Sequence, residues 1–194
     1  NLAGVDVLLL SPMKTATGRR QMDEALAAAR HLGMPVVIDL TGALKLRRSV
    51  PAVRRMIAAA TWPVLSSTSD ELAVFSNPAG KRTDPVRLAA EILQSGGLAA
   101  IRGSTGMVTN GKNALRVDAG HDWLETAAPA GGLAAGSIAA FLSVAHLADF
   151  ITVTAVALAC LGQAADRASR RAKSQPMEKR VVKELGALSA GAAR

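Results

Sequence analysis

Small residues crowd the stretch "TAAPAGGLAAGSIAAFL", Thr126 to Leu142, which reads as a turn opening straight into an apolar helix. Backbone N–H groups at a helix start attract anions, so Gly131 and Gly132 are candidates to cradle a phosphate. Pro129, in the same turn, has no N–H to offer. In open parallel sheets a ligand lies beyond the carboxyl ends of the strands. Four further segments take that position: "SPMKTA" (11–16), "DLTG" (39–42), "STSDE" (67–71) and "RGSTG" (102–106). An Arg fork suits a phosphate, so Arg102 is a candidate ligand, with solvent or a partner as its alternative destination. Lys14, in the loop after the first strand, is the second cationic candidate. His31, His121 and His146 are scattered without metal-ligand spacing, and Cys160 sits mid-helix as a small buried filler rather than a nucleophile.

These segments need a sheet to position them. "VDVLLLS" (5–11) predicts a strand covered on both faces, and "MPVVIDL" (34–40), "WPVLSS" (62–67) and "LAAIRGS" (98–104) predict three more. Helices are expected from Thr17 to Gly33, over 49–60 with Pro51 in the first turn, and over 84–97. Thr68 and Glu71 have the capping-box spacing. Asn110-Gly111 inside "MVTNGKNALRV" (107–117) predicts a hairpin. Ala-rich helices follow over 131–146 and 149–170, then a last one over 176–188. Alternating strands and helices predict an α/β three-layer sandwich: a mainly parallel sheet, helices on both faces, one antiparallel hairpin. The whole reads as a single domain over 1–189 with a short tail, 190–194.

The chain has 194 residues, 49% of them hydrophobic, which excludes a disordered protein. Only 3% are aromatic, so Ala, Leu, Val and Ile must fill the core. A single cysteine excludes an internal disulfide and suits a reducing intracellular compartment, cytoplasm or an organelle matrix such as the mitochondrion. His146 and Asp149 split the apolar region 131–165 into pieces too short to cross a membrane, so no membrane partner is expected. The net charge of +8 is concentrated in Arg47, Arg48, Arg54, Arg55, Arg170, Arg171 and their neighbours. That face fits solvent, or an acidic or RNA partner met through its backbone.

Taken together the segments resemble the hydroxyethylthiazole kinase family of the ribokinase-like superfamily. "GMPVVIDLTG" is similar to the family's strand ending in Asp-Pro-Val-Gly, and "SSTSDELAVFSNPAG" to its Gly-Asn-x-x-Glu-Ile segment. "AAIRGSTGMVTNGKN" resembles Val-Thr-Gly-x-x-Asp-x-Val-x-Asp-Gly, and "TAAPAGGLAAGSIAAFLSV" resembles Thr-Gly-Thr-Gly-Cys with its long helix. "SQPMEKRVVKELGAL" resembles the closing helix. The likeness runs collinearly from about residue 4 to 189. It implies a ribokinase-like fold and phosphoryl transfer from ATP to a thiazole alcohol. It also implies magnesium associated with Glu71 and Asp39, which read alternatively as a helix cap and a strand-end turn former, and an ATP site for which Gly131, Gly132 and Gly103 are candidates, with Arg102 and Lys14 as candidates of a rearranged site.

The departures from that pattern set the functional expectation. The family's proton acceptor, a Cys at the end of its Gly-x-Gly-x motif, is replaced by Gly132. Its phosphate-facing Arg is replaced by Ser66, its Asn by Thr68, the Thr of Val-Thr-Gly by Arg102 and the following Asp by Gly106. Family members also carry about another quarter of chain before the segment that matches residue 5. The expectation is a kinase-like pseudoenzyme with no catalytic residue and no cofactor. It would be a basic structural or regulatory subunit, homo- or hetero-oligomeric, in a larger assembly that is RNA-containing or organellar. The alternative is a divergent active hydroxyethylthiazole kinase of thiamine salvage, using ATP and magnesium.

Overall fold

The computed structural model describes residues 6–12, 16–41, 50–76, 84–94, 96–145, 149–171 and 175–192. Six strands lie in chain order across one sheet: β1 (Leu8–Leu10), β2 (Pro35–Asp39), β3 (Trp62–Ser67), β4 (Leu98–Ile101), β5 (Gly106–Thr109) and β6 (Ala114–Val117). The first four run parallel, and β5 and β6 complete the sheet as an antiparallel hairpin. Parallel neighbours need crossovers. They are α1 (Ala16–His31), α2 (Val50–Ala59), and the pair α3 (Ser69–Ser76) and α4 (Pro85–Ile92). After the hairpin come α5 (Asp122–Thr126), α6 (Ala128–Ser143), α7 (Phe150–Ser169) and α8 (Met177–Ala192).

Strand alternation sends side chains to two separate cores. Val36, Ile38 and Leu65 face one way, under Leu26 of α1, Val53 and Ile57 of α2, Phe75 of α3 and Leu88 of α4. Val37, Val64 and Ala100 face the other way, under Ala134 and Ile138 of α6, Leu158 and Leu161 of α7 and Val181 of α8. The α/β three-layer sandwich with its one hairpin is the architecture the sequence predicts. The hairpin turns at Gly111, whose φ of +84° puts it in the left-handed region where a side chain is strained.

Two expectations need correction, and one element is new. β1 is not covered on both faces: among the described residues it is the sheet edge, only three residues long, paired to β2 alone, with Leu9 41% exposed. An uninterrupted apolar run does not distinguish an edge strand from a central one. Cys160 is only partly buried on α7. The short helix α5 was not expected; His121 caps it, its Nδ1 accepting the Trp123 N–H at 3.0 Å. Among the described residues, no helix is long and apolar enough to cross a membrane.

Glycine and alanine let α6 and α7 lie close to the sheet. On α7, a Cβ added at Gly162 would sit 1.4 Å from the Ala119 carbonyl oxygen, a backbone atom that cannot swing away. Gly162→Ala is therefore expected to cost about 3 kcal/mol, the upper end of ordinary overpacking. Gly136 on α6 has nothing within 4 Å, so Gly136→Ala should instead gain up to about 1 kcal/mol of helix propensity. Urea denaturation of the two variants checks the contrast in sign.

Candidate functional site

The carboxyl ends of β2, β3 and β4 carry the polar residues that the core excludes. In the pairing register Asp39 lies opposite Ser66, and Ser66 opposite Ala100. Asp39 follows Val37 by two residues and Ser66 follows Val64 by two, so both side chains share the face covered by α6. Arg102 follows Ala100 by two and joins them. Its Nε donates to the Leu124 carbonyl of α5, at 3.1 Å on that same face.

One network links these ends. Asp39 Oδ1 accepts from the Thr41 backbone N–H at 2.9 Å and from the Thr41 hydroxyl at 2.6 Å, and Oδ2 accepts from the Ser11 hydroxyl at 3.5 Å. Arg102 Nη2 donates to Thr41 Oγ1 at 3.2 Å and to Glu71 Oε2 at 2.8 Å. Glu71 Oε2 also accepts the Thr68 N–H at 2.9 Å, while Thr68 Oγ1 accepts the Glu71 N–H at 3.2 Å. The capping box thus forms at the start of α3 and aims Glu71 at Arg102. The three ionisable members are almost wholly covered: Arg102 is 4% exposed, Glu71 6% and Asp39 7%. Arg102 accordingly turns inward rather than toward solvent. Three polar atoms here are buried without a partner: Ser66 Oγ, Ser67 Oγ and Arg102 Nη1.

The stretch expected to be a phosphate-holding turn is folded differently. α6 begins at Ala128, not near 131, so "APAGG" is its first turn and not a loop before it. Pro129 has no N–H and Ala130 donates to the Ala127 carbonyl at 3.0 Å, which removes two of the first-turn donors an anion would use. Gly131 and Gly132 come late enough in the turn for their N–H groups to bond within the helix. Gly131 instead gives closeness: a Cβ there would lie 1.6 Å from Thr41 Oγ1, so α6 rests on the residue that joins Asp39 to Arg102. Gly132 makes no such contact. It is exposed, with nothing within 4 Å of an added Cβ, and lines a surface cavity of about 490 Å³ with Leu133, Glu178 and Val182.

Gly103 accepts the His121 N–H on its carbonyl at 3.0 Å, and a Cβ there would sit 3.4 Å from Glu125 Oε2. Lys14, Arg47 and Arg48 lie outside the described residues. Of the remaining basic candidates, Arg170 pairs with Asp166 at 2.8 Å and Arg171 with the buried Glu184 at 2.5 Å. Arg54 Nη2 donates to the Phe75 carbonyl, and Arg55 is exposed. Sequence reasoning missed Thr41 as the bridge and the Leu124 carbonyl as an anchor. Thr41 had a legible signal, since an Asp often bonds the backbone two residues on.

The two carboxylates expected to hold magnesium are engaged by protein donors in this arrangement. Glu71 Oε2 is taken by a guanidinium and an N–H, and Asp39 Oδ1 by both donors of Thr41. A divalent cation at Glu71 would have to sit against the like charge of Arg102 or displace it. Among the described residues, no group of three or more His, Cys, Asp and Glu could hold a metal ion.

The family model described as "Hydroxyethylthiazole kinase family" matches residues 12–190. Hydroxyethylthiazole kinase of Methanocella arvoryzae is 30% identical over 165 residues, covering 78% of this chain and 61% of that protein. The protein of that name from Chloroflexus aggregans is 32% identical over 156 residues, covering 75% and 55%. This chain thus spans roughly three fifths of the length of these curated relatives. The solved structure of the hydroxyethylthiazole kinase protein from Pyrococcus horikoshii OT3 superposes with a TM-score of 0.79 at 22% identity, over 93% of this chain and 70% of that one. It establishes the ribokinase-like fold. The relatives overturn the expectation of a noncatalytic assembly subunit, because those it matches in sequence are named as kinases. The changed motif positions are few beside a likeness of 30–32% carried over three quarters or more of the chain.

Proposed function

The chain belongs to the hydroxyethylthiazole kinase family, and from that premise we propose that it is a phosphotransferase. It would move the terminal phosphoryl group of ATP to the hydroxyl of hydroxyethylthiazole, in thiamine salvage. The observation that carries this reading is the buried Asp39–Thr41–Arg102–Glu71 network at the carboxyl ends of β2, β3 and β4, where ligands of open parallel sheets bind.

Phosphoryl transfer asks little covalent chemistry of a protein; it asks for alignment and for charge to meet the moving group. Arg102 supplies the charge. It is fixed from three sides, by Leu124, Thr41 and Glu71, so no reorganisation is needed when phosphate arrives. Asp39 keeps its carboxylate at the strand end through Thr41 and Ser11, and the packing of Gly131 on Thr41 fixes the bridge. Gly132 offers no proton acceptor, so deprotonation of the alcohol proceeds without the help that is worth about 10²–10⁴-fold. Slow turnover is the corollary.

The test is direct. The purified chain with ATP, magnesium and hydroxyethylthiazole is expected to yield the phosphorylated alcohol, read by mass spectrometry. ATP at a hundred times its Kd should also stabilise the protein by about 2.7 kcal/mol in thermal denaturation. No product, together with no shift in melting, would sink the proposal.

A further inference from the structure

We propose that the opposite end of the sheet carries a separate binding site, for an uncharged planar heterocycle of the nucleobase or pyridine-carboxamide kind. It lies in a cavity of about 570 Å³ where β3 and β4 begin, lined also by the β5–β6 turn and the start of α7. Trp62 opens β3 and Ser66 lies four residues on, so about 13 Å of strand separates the cavity from the network at the carboxyl ends. This site is independent of the phosphotransferase reading.

The chain has only five aromatic residues, two Trp and three Phe, and two of the five line this cavity. Trp62 and Phe150 pack edge to face, with ring centroids 5.9 Å apart and planes at 79°. Trp62 nevertheless stays 47% exposed. A half-open indole in a concave wall offers a flat apolar surface on which a second ring can stack. Part of the lining is backbone held by close contact: a Cβ added at Gly97, whose φ is +115°, would sit 2.3 Å from the Pro63 carbonyl oxygen. Two side chains supply polar contacts. Asn110 spends its Oδ1 on the Lys112 and Asn113 N–H groups, at 2.9 and 2.8 Å, which leaves its amide N–H donors without a partner among the described residues. The Lys112 ammonium is likewise unpaired among them. Both groups donate, so the ligand must present acceptors, as ring nitrogens and carbonyl oxygens do. Charge decides the class. Asp149, also in the lining, caps α7 through the Ile151 N–H and the Thr152 hydroxyl, and its charge is opposite to that of Lys112. The two side-chain charges cancel, so a phosphate gains little net attraction and an uncharged ring with acceptors fits best.

Heteronuclear NMR of the purified chain tests this with nicotinamide and caffeine, two uncharged planar heterocycles that carry carbonyl acceptors. Each should shift the Trp62 indole N–H signal saturably, with a Kd of about 1 mM for ligands this small, and leave the Trp123 signal in place. Excess ATP should change neither Kd by more than about twofold, because its expected site is at the other end of the strands. Trp62→Leu should weaken binding about tenfold by removing the stacking surface, read on the Asn110 and Lys112 amides. Lys112→Ala, on the exposed turn, should weaken it about threefold. Nicotinate, a similar ring carrying a negative charge, should bind within about threefold of nicotinamide. No saturable shift from either probe would overturn the proposal, as would displacement by ATP or binding left unchanged by either substitution. A larger preference for nicotinate would overturn the assignment to an uncharged ligand.

Discussion

Glu71→Ala is expected to destabilise the fold by about 3–5 kcal/mol, the cost of leaving one member of a buried ion pair uncompensated. The pair is covered on both sides, with side-chain exposure of 2% for Arg102 and 7% for Glu71, so water cannot take over the lost carboxylate. The same substitution removes the reciprocal bond of the capping box, leaving the Thr68 N–H unpaired at the start of α3. Glu71→Gln separates the two contributions. Its amide oxygen can still accept from Thr68 and from Arg102, so its cost should be near half that of the alanine. Replacing both residues by Met should recover much of the loss, because a buried pair exchanged for packed apolar groups is often neutral. Urea unfolding of the three variants reads these differences. A cost below about 1 kcal/mol for Glu71→Ala would mean that the pair is solvated, and the electrostatic account of the site would fall with it.

That pair marks the boundary of what the chain shows before it folds. The capping box was legible because its partners are three residues apart, and the hairpin because Asn110-Gly111 can turn in few ways. Strand and helix alternation gave the sandwich, since each segment must bury a face whose period is fixed by its own geometry. The ion pair was not legible. Arg102 reaches Glu71 across 31 residues of chain and Thr41 across 61, and only the parallel register of β2, β3 and β4 brings those ends together. "VDVLLLS" misled because an apolar run reports hydrophobicity, not how many neighbours a strand has. Thr126 to Leu142 misled because glycine suggests a turn, whereas Gly131 is there so that a helix can touch Thr41.

Gly132→Cys is expected to raise turnover of hydroxyethylthiazole, by as much as the 10²–10⁴-fold that a positioned base contributes. The thiol would stand where the resemblance places the family's proton acceptor. The structure leaves room for it: nothing lies within 4 Å of an added Cβ, and the position opens on the cavity beside Glu178 and Leu133. Stability should rise by a few tenths of a kcal/mol, because cysteine has a slightly higher helix propensity than glycine. Gly132→Ala should gain up to about 1 kcal/mol and supplies no proton acceptor, so its turnover should match the wild type. The neighbouring glycine gives the opposite result. Gly131→Ala drives a methyl group into Thr41 Oγ1, so α6 must lift away and the link from Asp39 to Arg102 breaks with it. That variant should lose both stability and ATP binding. Steady-state kinetics beside melting curves for the three variants separate chemistry from packing, and equal rates for Cys and Ala at position 132 would show that the alcohol does not approach this turn of α6.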